Sequence, residues 1–189
     1  ICVTTDNYMG ALQATSLLIR NNCDIMLHIN VDVPKNVPAY DRIRAFEDTC
    51  REHNIPYELH LDVTGDSYQD IYAQMRSIFS NIDARYPDKK KGVFLSNDTY
   101  ANMFLNLIFQ KYGCLPDTYE LIGFDNSPIA GEAILPITTI GQQIDVIAHT
   151  AMELLVQQME ERKKRKPQPL TAPIHKQIAP VLVRRDTTG

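Results

Sequence analysis

The sequence predicts an α/β fold, a mostly parallel sheet with helices on both faces. Three observations predict it. Apolar runs of strand length alternate about five times with stretches whose apolar residues recur at helical spacing. Asp24 to Asn30 is a mostly apolar run of strand length, as suits a parallel strand buried on both faces. The 189 residues, 44% apolar and 22% charged, suffice for one large domain or two small lobes.

The elements follow in order. Ile1 to Thr5 is a short β-rich run, and Asp6-Asn7 is a cap signal before a helix from Tyr8 to about Arg20. Asp24 to Asn30 reads as a strand. After a loop with Pro34 and Pro38, Ala39, Ile43, Phe46 and Cys50 lie on one helical face. Tyr57 to Val63 is the next strand, and Asp66 or Ser67 caps a helix with Ile71, Met75, Ile78 and Phe79 inward. A polar connector leads to the strand Gly92 to Ser96. The helix after it starts near Asp98, turns Ala101, Phe104, Leu105 and Ile108 inward, and ends at Gly113. Tyr119 to Phe124 is a strand, Asp125 to Pro128 a turn, and Pro136 to Ile140 a short β segment. A long helix then places Ile144, Ile147, Ala148, Ala151, Leu154 and Leu155 on one side, with Pro167 and Pro169 beyond its basic end. Ile178 to Val183 is the last strand, and a polar tail runs to Gly189.

Composition and motifs exclude several functions. The net charge of −4 gives no general attraction to nucleic acid. Cys2, Cys23, Cys50 and Cys114 are scattered without a CxxC pair, which fits a reducing cytosol and not a disulfide framework. No apolar run nears the ~20 residues that span a bilayer. The start is no signal peptide and lacks an initiator Met, so it reads as a strand entered mid-fold. There is no GxGxxG, Walker A, GxSxG or HExxH sequence, and no histidine pair at metal-ligand spacing, so catalytic residues, metals and cofactors are not expected. The basic run Arg162 to Lys166 sits at a helix end, where cations complement the dipole, and reads as solvated.

Ligands of parallel sheets bind at the carboxyl ends of strands. Two such ends carry short polar residues, Asn97-Asp98 and Asp125-Asn126. We expect ligand contact from Asn97 and Asp125, whose amide and carboxylate suit vicinal hydroxyls, and capping from Asp98. Arg42, at the start of the second helix, can fork onto a ligand's oxygens.

These segments assemble into a familiar order. Asp6-Asn7-Tyr8-Met9-Gly10-Ala11 resembles a DNxxGA helix start, and Arg42 to Phe46 an RxxGF motif. Asn97 to Ala101 resembles an NDxxA turn, Gly113 to Asp117 a GxxPD loop, and Ile122 to Asn126 an IGFDN strand end. Leu135 to Ile140 resembles an LTTI segment, and Arg185-Asp186-Thr187-Thr188 an RDTT ending. The ordered set, covering nearly the whole chain, resembles the regulatory core of the LacI/GalR transcriptional regulators. Ala45 for Gly, Asn102-Met103 for a small AxG pair and Asn21-Asn22 for Gly-His depart from the pattern.

The resemblance implies a type I periplasmic-binding-protein-like fold with a complete C-lobe and an incomplete N-lobe. It assigns residues 1–22 to the N-lobe, 23–140 to the C-lobe, 141–180 to a returning N-lobe segment and 181–189 to a tail against the C-lobe. It implies a cytoplasmic, non-enzymatic sensor, a homodimer without membrane contact, that binds a sugar or sugar phosphate between the lobes and operator DNA through an N-terminal helix-turn-helix outside this chain. Carried over position by position, the effector contacts are Asp6, Arg42, Asn97, Asp125 and Gln142. A transporter's extracytoplasmic sugar-binding protein shares the fold. A phosphoacceptor receiver or small enzyme using Asp98 or Asp125 would need an acidic cluster on the first strand and a lysine at a later strand end, and neither is evident in the sequence.

Overall fold

The computed structural model describes residues 1–164 and 172–189. Its elements are β1 (Cys2–Thr5), α1 (Asn7–Arg20), β2 (Ile25–Ile29), α2 (Tyr40–Glu52), β3 (Tyr57–His60), α3 (Tyr68–Arg85) and β4 (Lys91–Leu95). They continue with α4 (Asp98–Tyr112), β5 (Tyr119–Asp125), α5 (Pro128–Glu132), β6 (Thr138–Gly141), α6 (Ile144–Lys163), β7 (His175–Ile178) and β8 (Val181–Val183). β1 and β7 pair in parallel as a small sheet. The other strands form a six-stranded sheet in the order β3-β2-β4-β5-β6-β8, parallel except for the antiparallel β6–β8 pair.

The inner strands β2, β4, β5 and β6 are buried because their residues alternate between two apolar clusters on the two faces. Ile25, Leu27, Ile29, Val93, Leu95 and Leu121 meet α3 and α4 residues such as Met75, Phe79 and Phe104. Met26, Phe94, Ile122 and Phe124 meet Ala11, Ala14, Leu17 and Leu18 of α1 and Ala45, Phe46 and Cys50 of α2. Burying one large aliphatic or aromatic side chain stabilises by about 1.5–3 kcal/mol, so these two layers dominate the fold's stability. The helices change face between β2 and β4, which opens a crevice at the carboxyl ends of those two neighbouring strands.

The tail is held tightly. Thr187 Oγ1 donates to the Leu121 carbonyl at 2.7 Å and accepts from the Thr138 N–H at 2.9 Å. Arg185 donates from Nη1 to the Ile137 carbonyl at 2.9 Å and from Nη2 to Asn126 Oδ1 at 2.7 Å.

Several expectations are corrected. The helix α1, assigned with residues 1–22 to the N-lobe, packs on the large sheet beside α2 because its Ala/Leu stripe matches that face. The single expected strand from Ile178 to Val183 is two, split at Ala179-Pro180, since proline lacks the N–H a ladder needs. Part of the expected turn after Asp125 begins the short helix α5, with Pro128 at its first position. On α6 only Thr150 is buried, whereas Ile144 (60% exposed), Met152 and Leu155 face outward. The basic run beyond Lys164, with Pro167 and Pro169, lies outside the described residues. None of the described helices is long and apolar enough to cross a membrane.

Candidate functional site

A cleft of about 480 Å³ opens at the crevice. Its lining includes Arg42, Asn97, Asp125 and Gln142, four of the five residues expected from the sequence. Parallel pairing with matched register explains the convergence: Ile29 lies opposite Leu95, and Asp125 opposite Gly141, so the residues that follow share one end of the sheet.

Arg42 is the most constrained of them. Its Nε donates to Asn7 Oδ1 at 2.8 Å and Nη1 to the Ser96 carbonyl at 2.7 Å. The guanidinium carbon lies 3.6 Å from the centroid of the Phe124 ring, a stacked cation–π contact. Nη2 is 3.9 Å from Asp125 Oδ1, too far for a hydrogen bond. Burial pushes the Arg42 pKa down and Asp125 opposes it. Two of the five guanidinium N–H groups are thus held by the protein, and the others remain for a ligand.

Asp125 stands at the last position of β5 with φ +107°, and Asn126 follows at +51°, both in the left-handed region that short polar residues tolerate best. This turn lifts the Asp125 carboxylate from the strand end. Its Oδ1 accepts from Gln142 Nε2 at 2.7 Å, and Gln142 Oε1 accepts in turn from Thr5 Oγ1 at 2.6 Å. One bonded chain therefore runs from the small sheet, through the residue after β6, to the end of β5.

The roles expected for Asn97 and Asp98 change. Asn97 is the N-cap of α4, its Oδ1 accepting from the Tyr100 N–H at 2.8 Å. Its Nδ2 reaches only Ser96 Oγ, at a long 3.4 Å, and stays available in the cleft. Asp98 does not cap; it is fully buried. It accepts from Thr139 Oγ1 at 2.6 Å, the Ser127 N–H at 2.7 Å and Ser127 Oγ at 3.1 Å, tying the turn after Asp125 to α4 and β6. Burial raises its pKa, against those hydrogen bonds. The carboxylate fits because Gly123 faces it: a Cβ there would lie 2.3 Å from Asp98 Oδ1.

Asp6 does not line the cleft. Its side chain caps α1 by accepting from the Met9 N–H at 2.9 Å, and its neighbours Thr5 and Asn7 reach the site instead. The sequence reading also missed Asn30, which follows β2 as Asn97 follows β4; the same strand-end rule would have found it. Asn30 Oδ1 accepts from the Val31 N–H at 2.8 Å. Behind it His28 is fully buried between Phe46 and Phe94, with its pKa pushed down to about 4 chiefly by burial. The ring is therefore neutral at pH 7. Its Nδ1 lies 2.9 Å from the Phe94 carbonyl and so carries the proton, which leaves Nε2 to accept from Asn30 Nδ2 at 3.4 Å.

The cleft thus holds one guanidinium, one carboxylate and three amides around a ligand-sized space. Donors and acceptors are interleaved, the geometry that binds vicinal hydroxyls.

The chain resembles several known proteins. It is 26% identical over 162 residues to a ribose operon repressor of Halalkalibacterium halodurans, covering 85% of this chain and 46% of the relative. It is also 26% identical over 161 residues to a sucrose operon repressor of Streptococcus mutans, covering 85% and 47%. The chain therefore spans about half the length of the relatives it matches. Among solved structures, a periplasmic binding protein/LacI transcriptional regulator of Alkaliphilus metalliredigens, complexed with D-xylulofuranose, superposes with a TM-score of 0.76 at 24% identity, covering 100% of this chain and 65% of that one. A LacI family regulator of Enterococcus faecium with bound ribose gives 0.75 at 21% identity, covering 98% and 64%. The profile of the periplasmic binding protein-like domain matches residues 17–188, nearly the whole chain, and the chain belongs to that family.

Proposed function

We propose that this chain is the effector-sensing part of a LacI-type repressor of sugar-utilisation genes, a cytoplasmic regulator and not an enzyme. The observation that carries the reading is the convergence of Arg42, Asn97, Asp125 and Gln142 on one cleft at the carboxyl ends of the central strands. The relatives are repressors of ribose and sucrose operons, and two structural neighbours hold a pentose. A free sugar suits the site better than a sugar phosphate, because Arg42 already faces Asp125 and the pair leaves no net charge to bind a dianion.

In this reading β1, α6 and β7 belong to one lobe, and the large sheet with α1 to α5, β8 and the tail forms the other. The outward Ile144, Val146, Met152, Val156 and Met159 of α6 fit a lobe that further chain completes. The ligand favours one arrangement of the lobes through its differential affinity, and a DNA-reading head on the same polypeptide responds, as a homodimer on the operator.

Calorimetric titration of the full-length protein with a panel of free sugars, ribose and sucrose included, tests the site. Asp125→Ala removes a charged acceptor and weakens the tightest-binding sugar by about ten- to a hundredfold. Equal affinity in the variant refutes the site assignment.

A further inference from the structure

We propose that Tyr100 is a ligand-contacting residue of this cleft, its phenolic hydroxyl pairing with one hydroxyl of the bound sugar and so helping to decide which sugar is held. The inference rests on the sensor reading above and adds to it a specificity residue that the family resemblance does not supply.

Tyr100 is the third residue of α4, and its backbone N–H is fixed by the Asn97 cap. Its ring is part of the apolar cluster beneath α4, together with Phe104, Ala130 and Ile137. Only 8% of the residue is exposed, yet it lines the cleft with Val31, Val33 and Asn97. The hydroxyl makes no hydrogen bond among the described residues, and burial alone raises the phenol's pKa. The hydroxyl is not among the buried unpaired polar atoms, so the small exposed part of this residue includes its polar tip, at a cleft that the residue lines. Arg42, Asn97, Asp125, Gln142 and Asn30 each have at least one side-chain bond within the protein. The Tyr100 hydroxyl has none among the described residues, so, like the spare N–H groups of Arg42 and Asn97, it is open to a ligand in the cleft.

The chemistry of the group sets the partner. A neutral phenol both donates and accepts, so it pairs with a ligand hydroxyl in either direction. Val31 and Val33 beside it suit the C–H face of a sugar ring. Tyr100 therefore discriminates a sugar carrying a hydroxyl directed at α4 from its deoxy analogue at that carbon.

The test uses the full-length protein, with D-ribose, D-xylulose, sucrose and cellobiose as probes in calorimetry. For the tightest of these, affinities are measured for the wild type, Tyr100→Phe and Asp125→Asn, and repeated with each monodeoxy analogue of that sugar. Tyr100→Phe keeps the ring in its cluster, so its melting temperature stays at the wild-type value. Its affinity for the intact sugar falls about tenfold, the effect of one lost hydrogen bond. One deoxy analogue loses the same factor against the wild type but nothing further against Tyr100→Phe, which identifies the two hydroxyls as partners. Equal affinity of Tyr100→Phe and wild type, with Asp125→Asn weakened, overturns the role of Tyr100 and leaves the sensor reading intact. Failure of the wild type to bind any probe, or an Asp125→Asn variant that binds as well as wild type, overturns both.

Discussion

Replacing Asp98 by alanine exposes how the fold holds its site. The carboxylate is fully buried and accepts from Thr139 Oγ1, the Ser127 N–H and Ser127 Oγ. Alanine leaves the Thr139 hydroxyl proton and the Ser127 N–H without an acceptor, at about 1–3 kcal/mol each. Release of the buried charge offsets part of this, because burial already disfavours the ionised form. A net loss of about 2–4 kcal/mol follows, which at about 2–4 °C per kcal/mol for a domain of this size lowers the Tm by roughly 4–16 °C. Thermal unfolding followed by circular dichroism at pH 7 measures it. The sign of the pH dependence is also fixed. The folded pKa of Asp98 is raised, so its contribution is fullest below the ordinary aspartate value of 3.8 and declines as pH rises through the folded pKa. The gap between wild type and Asp98→Ala therefore widens on acidification. A Tm within 2 °C of wild type, or a gap that narrows in acid, refutes the reasoning.

Two further outcomes are expected. Glu58 accepts from both Arg85 nitrogens, Nη1 at 2.6 Å and Nη2 at 2.7 Å, and from the Tyr86 hydroxyl, with the Arg85 bonds foremost in lowering its pKa from 4.5 to about 2. Its stabilisation is present above pH 4.5 and lost as pH falls toward 2, so Glu58→Gln costs about 1–3 kcal/mol at pH 7 and little near pH 2 by urea titration. Gly10→Ala places a Cβ 2.9 Å from Phe124 Cε2 and 3.0 Å from Ile140 Cγ2. The crowding costs about 1–3 kcal/mol in thermal unfolding, and because Arg42 stacks on Phe124 it also weakens sugar binding in calorimetry.

The strand and helix order was legible because continuous apolar runs and helical stripes are imposed by burial on both faces of the sheet. Arg42, Asn97, Asp125 and Gln142 were legible because parallel pairing brings strand ends together and the motif order named them. Adjacent residues at one strand end were harder to tell apart. Asn97 and Asp98 are both short and polar, and which one caps depends on the extended backbone at Asn97, φ −155°, which turns the next side chain into the interior. Space for that carboxylate comes from Gly123 on the neighbouring strand, a complement seen only once β4 and β5 are known to be side by side. Asp6 entered the expected site through the family resemblance alone, and it is its neighbours Thr5 and Asn7 that bond to Gln142 and Arg42. The apolar residues of α6 read as one buried stripe, although the described chain covers little of it.

The RDTT tail bears on how the cleft is assembled in time. Asn126, next to Asp125, takes its outer support from Arg185, a partner 59 residues away, and Thr187 bridges Leu121 to Thr138 across a similar distance. Loop closure over such separations carries an entropic cost, so these contacts slow the completion of the strand-end turn. A chain trimmed before Arg185 loses that support, and the turn beside Asp125 loosens while the two apolar layers of the sheet keep their packing.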